Sequence, residues 1–282
     1  PNDYKGSIAD LYAVYFISTP IFPQIYHIFM SVSDPTTDFP SSPPKLYAYA
    51  IANDPKAAPL MTLFQLLLVA IIQGLTEFLP VSSSGHLILL PTLTGGPDQG
   101  LAIDVAVHVG TLLAVVLYFR SEVAEATIGL GRLLRGKMDT PGARLAALLI
   151  LATLPVLVVG LTFKLLGIDE MLRSVAVIGW TMLLFGIVLY WADRTGRSDR
   201  DTGDWDVKGA VWMGLAQALA LIPGTSRSGI TITAARKLGY DRASAATLSM
   251  LMSIPTILAS GALLSLDVIG QADAQLARDA SI

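Results

Sequence analysis

Two short stretches of this chain hold residue types that could do chemistry. "QGLTEFLPVSSSGH", Gln73 to His86, carries a carboxylate, three consecutive serines and a histidine in an apolar setting. "PGTSRSGITIT", Pro223 to Thr233, carries Arg227 among glycines and hydroxyl residues. A carboxylate at membrane depth costs about 2.5 to 3.5 kcal/mol on insertion scales, so Glu77 needs a partner, a cavity or a metal ion. Gln73 lies four residues before Glu77, on the same helical face. A plain helix–helix hydrogen bond is the structural alternative. Pro80 ends one helix, Ser82, Ser83 and Ser84 can cap the next, and Gly85 permits close approach. Helix N-termini bind anions through free N–H groups and the positive dipole end. Ser83 and His86 are three apart, so a hydroxyl nucleophile has a candidate base on its own face. Serines that only cap, beside a buried histidine, are the alternative.

Arg227 is the only cation between Lys208 and Arg236. Its planar guanidinium matches phosphate oxygens two at a time. Gly224, Thr225, Ser226, Ser228 and Thr231 supply backbone N–H and hydroxyl donors around it, as in an anion nest. A purely structural pair with Glu77 is the weaker reading, because buried ion pairs stabilise poorly. Together the stretches make one polyanion site. A carboxylate repels a naked phosphate, and a divalent cation removes that conflict; Mg²⁺ takes one or two carboxylates plus substrate phosphates. Glu77 is the candidate metal ligand. The substrate reads as a phosphate or pyrophosphate ester whose apolar part lies in the bilayer. Asp104 and His108, spaced by four, share a face and would line the same cavity or orient a catalytic group, unless they form a structural polar pair.

The elements that position these residues must be membrane helices. The 282 residues are 53% hydrophobic and 15% charged, with mean hydropathy +0.59; soluble domains average about 25% charged. The near-balanced charge of −3 gives no reason for a nucleic-acid partner. The absence of cysteine excludes disulfides, thiol nucleophiles and thiolate metal sites. Uncharged runs at 145–163, 174–192 and 243–266 read as spans, as does 101–119 despite Asp104 and His108. Met61 to Leu90 and Val207 to Ala234 are apolar but broken by "LPVSSSG" and "IPGTSRSG". Each reads as two half-helices joined by a loop at membrane depth.

The two breaks also align without gaps. In "QGLTEFLPVSSSG" and "QALALIPGTSRSG", Gln, Leu, two Ser and the closing Gly coincide. Three spans separate them, an odd number, so two re-entrant elements would enter from opposite faces. The expected fold is all-α: a polytopic membrane protein with two re-entrant broken hairpins in an inverted repeat. The first repeat would cover 61–192 and the second 205–282. Basic residues at Arg120, Arg132, Arg135, Lys137 and Arg144, and at Arg194, Arg197, Arg200 and Lys208, put those two loops in the cytoplasm. Residues 1–60 hold nine of the sixteen prolines, no arginine and no spanning run, and read as a disordered extension without chemistry.

"QGLTEFLPVSSSGH" followed by "PGTSRSGITIT" resembles the undecaprenyl-pyrophosphate phosphatase, or bacitracin-resistance, family. "DVAVHVGTLLAVVLYF" and "SMLMSIPTILASGALL" resemble its other segments. The resemblance runs from Met61 almost to the end. It implies a multi-pass enzyme of the bacterial inner membrane, with its active site facing the periplasm. The implied reaction removes the terminal phosphate of undecaprenyl pyrophosphate, a polyprenyl lipid, with Mg²⁺ or Ca²⁺. Carried over by motif, Gln73 and Glu77 fall on the family's acidic pair, Ser83 on a proposed nucleophile and His86 on the motif histidine. Arg227 falls on the phosphate-binding arginine, and Ser226, Ser228 and Thr231 on the phosphate loop. Gln73 is neutral here, so Glu77 must act without a second carboxylate. The family continues through further spans beyond the position of Ile282, so the second repeat is expected to be incomplete. The oligomeric state stays open, a homodimer included. A lipid-phosphate transporter or flippase is the rival reading, since broken inverted repeats are also a carrier architecture.

Overall fold

The computed structural model describes residues 63–279 apart from 96–98, 169–171 and 173. The proposed extension, 1–60, lies outside the described residues. Helix α1 (Leu63–Thr76) ends before Glu77, and α2 (Ser83–Thr94) begins after the break. Pro80 lacks an N–H to continue the helix. Ser82 completes the break with a left-handed φ of 66°, a conformation that costs a non-glycine residue about 1–3 kcal/mol. α3 (Gly100–Tyr118) turns into α4 (Arg120–Leu133), the two axes meeting at 93°. The basic loop expected after Phe119 therefore contains a helix, bearing Glu122, Glu125 and Arg132.

α5 (Pro141–Leu166) starts on a Thr140 hydroxyl that accepts from Ala143 N, with proline in the first turn, and stops at left-handed Gly167. α6 (Val175–Thr195) starts on Ser174 in the same way. α7 (Val207–Ala218) is capped by Asp206, continues as a 3₁₀ turn over Leu219–Leu221, and breaks. α8 (Arg227–Lys237) and α9 (Arg242–Asp279) follow. Asp241 accepts from Ser244 N at 2.8 Å, which holds its carboxyl below the usual carboxylate range. Among the described residues no strand forms beyond one bridge, Arg200 to Tyr240.

The chain is a multi-pass membrane protein. Pro141–Leu166, Val175–Thr195 and Arg242–Leu263 are each long and apolar enough to span a bilayer, and the bent α3–α4 pair is a fourth candidate. α6 turns Trp180, Leu183, Ile187 and Trp191 outward, the arrangement lipid-facing helices adopt. α5 is the central column, packed by α4, α7 and α9. Its Leu148, Leu149 and Ala152 meet Met213 of α7 and Leu248 and Met252 of α9.

α1 packs on α2 and α7 on α8. The two breaks share their serine caps in the register of their aligned sequences. Ser82 caps α2 by accepting from Gly85 N, and Ser226 caps α8 by accepting from Gly229 N. Ser82 and Ser84 hydroxyls lie 3.4 Å apart, Ser226 and Ser228 hydroxyls 3.1 Å. Gln73 and Gln217 are both fully buried. The far end of the second hairpin is fixed by Arg236, which is 2% exposed and donates to the carbonyls of Asp193, Gly196, Arg197 and Tyr240. A guanidinium buried at that point satisfies carbonyls that the C-terminus of α6 would otherwise leave orphaned.

Candidate active site

Glu77 is the hub of the site. It follows the last turn of α1, its N–H donating to Gln73 O, and its side chain is only 7% exposed. Its Oε1 accepts from Arg227 Nη2 at 2.8 Å across the two hairpins. Its Oε2 accepts from Ser83 Oγ at 2.6 Å and from Gln73 Nε2 at 3.2 Å. His108 Nε2 stands 3.9 Å from the same oxygen. Four groups that the sequence placed on three different segments thus converge on one carboxylate.

Arg227 opens α8, so the guanidinium and the helix N-terminus act at the same place. Its Nη1 donates to Ser249 O on α9 at 3.2 Å. Ser228 Oγ reaches the first hairpin, donating to Leu79 O at 3.1 Å. The turn before Arg227 is held from behind. Thr181 Oγ1 donates to Pro223 O at 2.6 Å, and Gly224 has a left-handed φ of 90°. A Cβ on Gly224 would meet Ile178 O at 2.6 Å and also the Thr181 hydroxyl, so only glycine fits there.

These groups open on a cavity of about 260 Å³. Its polar wall includes Glu77, Ser82, Ser83 and Ser84 from the first break, and Thr225, Ser226, Arg227 and Ser228 from the second. Its largely apolar wall comes from α5, the Leu219–Leu221 turn and α9, with Thr256 and Ser260 of α9 and Gln217 as polar members. The sequence-derived residues therefore divide. Gln73 sits behind the wall, supporting Glu77. Thr231 is buried beneath the second loop, bonded to Ser249 Oγ at 2.7 Å. Gly224 shapes the turn without lining the cavity.

The expected pairing of Ser83 with His86 is replaced by another. Ser83 donates to Glu77, while His86 Nδ1 lies 2.7 Å from Ser82 O and its ring is not part of the cavity wall. A carbonyl only accepts, so that nitrogen carries the proton and braces the left-handed Ser82. His108 is the histidine on the wall, and its Nδ1 donates to Asp104 O at 2.6 Å, leaving Nε2 toward Glu77. The Asp104 side chain accepts from Gln99 Nε2 at 3.0 Å through Oδ1. Sequence reasoning missed Ser249 and Thr181. Each is one hydroxyl in an apolar helix, a weak signal beside the serine-rich loops.

Among the described residues no three His, Cys, Asp or Glu side chains come together. A cation with only one carboxylate to hold it needs other hard oxygens. The Gln73 amide oxygen, buried beside Glu77 with no hydrogen-bond partner, is such a donor. Glu77, Gln73 and substrate phosphates match the sparse protein ligation that Mg²⁺ accepts.

A family model described as "Bacitracin resistance protein BacA" matches residues 66–281. An undecaprenyl-diphosphatase of Roseobacter denitrificans is 72% identical over 222 residues, which is 79% of this chain and 83% of the relative. One from Dinoroseobacter shibae is 70% identical over the same shares. One from Alteromonas mediterranea is 47% identical over 215 residues, 76% of this chain and 80% of the relative.

Proposed function

The chain belongs to the bacitracin resistance protein family, and from that premise we propose that it hydrolyses undecaprenyl pyrophosphate to undecaprenyl phosphate and inorganic phosphate. This recycles the lipid carrier of cell-wall synthesis and underlies bacitracin resistance. The observation that carries the reading is the convergence of Ser83 and Arg227 on Glu77 at a cavity with one polar and one largely apolar wall.

Arg227 and the N-termini of α2 and α8 grip the diphosphate. In doing so the guanidinium exchanges its bond to Glu77 for phosphate oxygens, which it matches two at a time. Glu77 is then free to take the Ser83 proton along the existing 2.6 Å hydrogen bond. Ser83 Oγ attacks the terminal phosphorus, the bond to the bridging oxygen breaks, and undecaprenyl phosphate leaves. Water then attacks the phosphoserine, and Ser83 recovers its proton as inorganic phosphate departs. Direct attack by water, oriented by the same Glu77, is the alternative that Ser83→Ala separates. His108 stands where it can pass a proton to or from Glu77, and His86 holds the Ser82 turn. Ser84, Thr225 and Ser226 donate to the phosphates, Ser228 ties their loop to Leu79 O, and Gly224 and Thr231 keep the loop in shape. Charge stabilisation should be the larger contribution, with acid–base help worth about 10² to 10⁴-fold.

A divalent cation, Mg²⁺ or Ca²⁺, would be held by Glu77 and the Gln73 amide oxygen, and would supply charge neutralisation of the diphosphate. The two hairpins are re-entrant and form an inverted repeat within a domain running from residue 61. Their aligned caps and glutamines support this. The enzyme lies in the inner membrane with its site facing the periplasm. α5 and α9 both start beside basic residues, and their cavity-lining residues lie in the second half of α5 and of the spanning part of α9, Arg242–Leu263, away from that face. The test is inorganic phosphate release from farnesyl or undecaprenyl pyrophosphate in detergent, with and without chelator. Detergent removes sidedness, so a pure lipid carrier would release none.

A further inference from the structure

Glycine in a helix interior costs about 0.5–1 kcal/mol relative to alanine, so each one asks for a reason. In α5, Gly142 has one: a Cβ would strike the Glu125 backbone of α4. Gly214 of α7 has the same reason, since a Cβ there would stand 2.5 Å from Ala152 O. Gly160 of α5 has neither a close backbone neighbour nor a left-handed φ. A Cβ on it would meet only the Leu221 side chain, at 3.5 Å, an ordinary contact. What distinguishes Gly160 is its place: among the described residues it is the one glycine in the cavity wall. A larger side chain there would stand in the open space itself.

The direction of that space can be read along α9. Ser249 O receives Arg227 Nη1. Farther along the same helix the cavity wall runs from Thr256 to Leu263, about 10 Å at a rise of about 1.5 Å per residue. On α5, Val156, Leu157, Gly160 and Leu161 form one continuous lining face. Leu221, across from Gly160, occupies the position in the second hairpin that Glu77 occupies in the first. The site is thus asymmetric where the sequences align: a carboxylate for the charged end, a leucine for the apolar wall.

We propose that this trough, between Gly160 and Leu161 of α5, Leu221, and Ile257 and Leu263 of α9, receives the first isoprene units of the lipid diphosphate. Gly160 is the specificity-determining position that lets the chain leave the phosphate site. The inference rests on the phosphatase reading. Its experiment separates the two, using isopentenyl, geranyl and farnesyl diphosphates in detergent. In the wild type, kcat/KM should rise by about tenfold for each isoprene that enters the trough, because every buried methylene adds affinity. Gly160→Ala should leave that rise unchanged. Gly160→Phe should flatten it, chiefly through KM, with a loss that grows from isopentenyl to geranyl to farnesyl diphosphate. Leu221→Phe fills the trough from the opposite wall and should flatten it too, which keeps the test if Gly160→Phe fails to fold. A wild type indifferent to chain length, or variants that lose every substrate equally while folded, or that keep the full rise, would overturn the tail site. No phosphate release by the wild type from any diphosphate would instead overturn the phosphatase reading.

Discussion

Arg227 Nη2 lies 2.8 Å from Glu77 Oε1, although 150 residues separate them in the chain. Both side chains are largely buried, at 14% and 7% exposure. A buried ion pair returns little net stability, yet removing one partner is costly because the other charge stays uncompensated. This pair therefore makes better sense as a site charged and waiting for an anion than as a staple.

Arg227→Ala should lower kcat/KM by at least about 10³-fold, and Arg227→Lys by about 10²-fold, because lysine keeps the charge but not the fork. Arg227→Ala should also lower the thermal midpoint in detergent. Adding Glu77→Gln should restore much of the stability and none of the activity. Near-normal phosphate release by Arg227→Ala would remove the guanidinium from the mechanism.

Ser83→Ala and Glu77→Gln address the 2.6 Å bond between them. If Ser83 is the nucleophile, Ser83→Ala loses at least about 10³-fold in kcat, and a phosphorylated chain is trapped by acid quench only from protein that retains Ser83. Glu77→Gln keeps a hydrogen-bonding side chain but loses the base, costing about 10² to 10⁴-fold. Activity retained in Ser83→Ala would hand the attack to water.

Gly224→Ala tests whether the turn before Arg227 is shaped by its backing. Left-handed φ and the crowding against Ile178 and Thr181 should cost about 1–3 kcal/mol or more. Turnover should fall because Arg227 moves with the turn. Thr181→Val, which removes a hydroxyl shared between Pro223 O and the Val177 and Ile178 carbonyls of its own helix, should cost about 1 kcal/mol. Thermal unfolding alongside phosphate release checks both, and an active, stable Gly224→Ala chain would mean the turn can relax.

A chelator should abolish phosphate release, and Mg²⁺ or Ca²⁺ should restore it. The substrate-free chain should keep its thermal midpoint under chelator, because one carboxylate and one amide oxygen make a weak site without diphosphate oxygens. Full activity in chelator would leave charge neutralisation to Arg227 and the helix N-termini alone.

Arg236→Met should cost about 3 kcal/mol or more, since the carbonyls that Arg236 now satisfies would lie buried without donors. The fraction that stays folded should hydrolyse normally, as Arg236 is not part of the cavity wall. A loss of turnover without a loss of stability would place Arg236 in the site's own network.

The sequence by itself determined the helices, the places where they break and the residues that carry charge into them. These are local matters. A proline, a capping serine or a charge in an apolar run acts on its own neighbours, so the cap at Ser82 and the runs of α5, α6 and α9 were legible, while the matching cap at Ser226 was read only as an anion donor. The helix inside the basic stretch after Phe119 was not, because its turn from α3 is made by packing on α5. Only the tertiary structure decided which groups meet. Ser83 had two acceptors within reach, His86 on its own helix and Glu77 across the break, and sequence spacing favoured the first. The fold gave it Glu77, because the Ser82 carbonyl engages His86 and the left-handed turn aims Ser83 back at α1. Likewise His108 and Leu221 gained their places from helices crossing in space, which no spacing along one helix encodes.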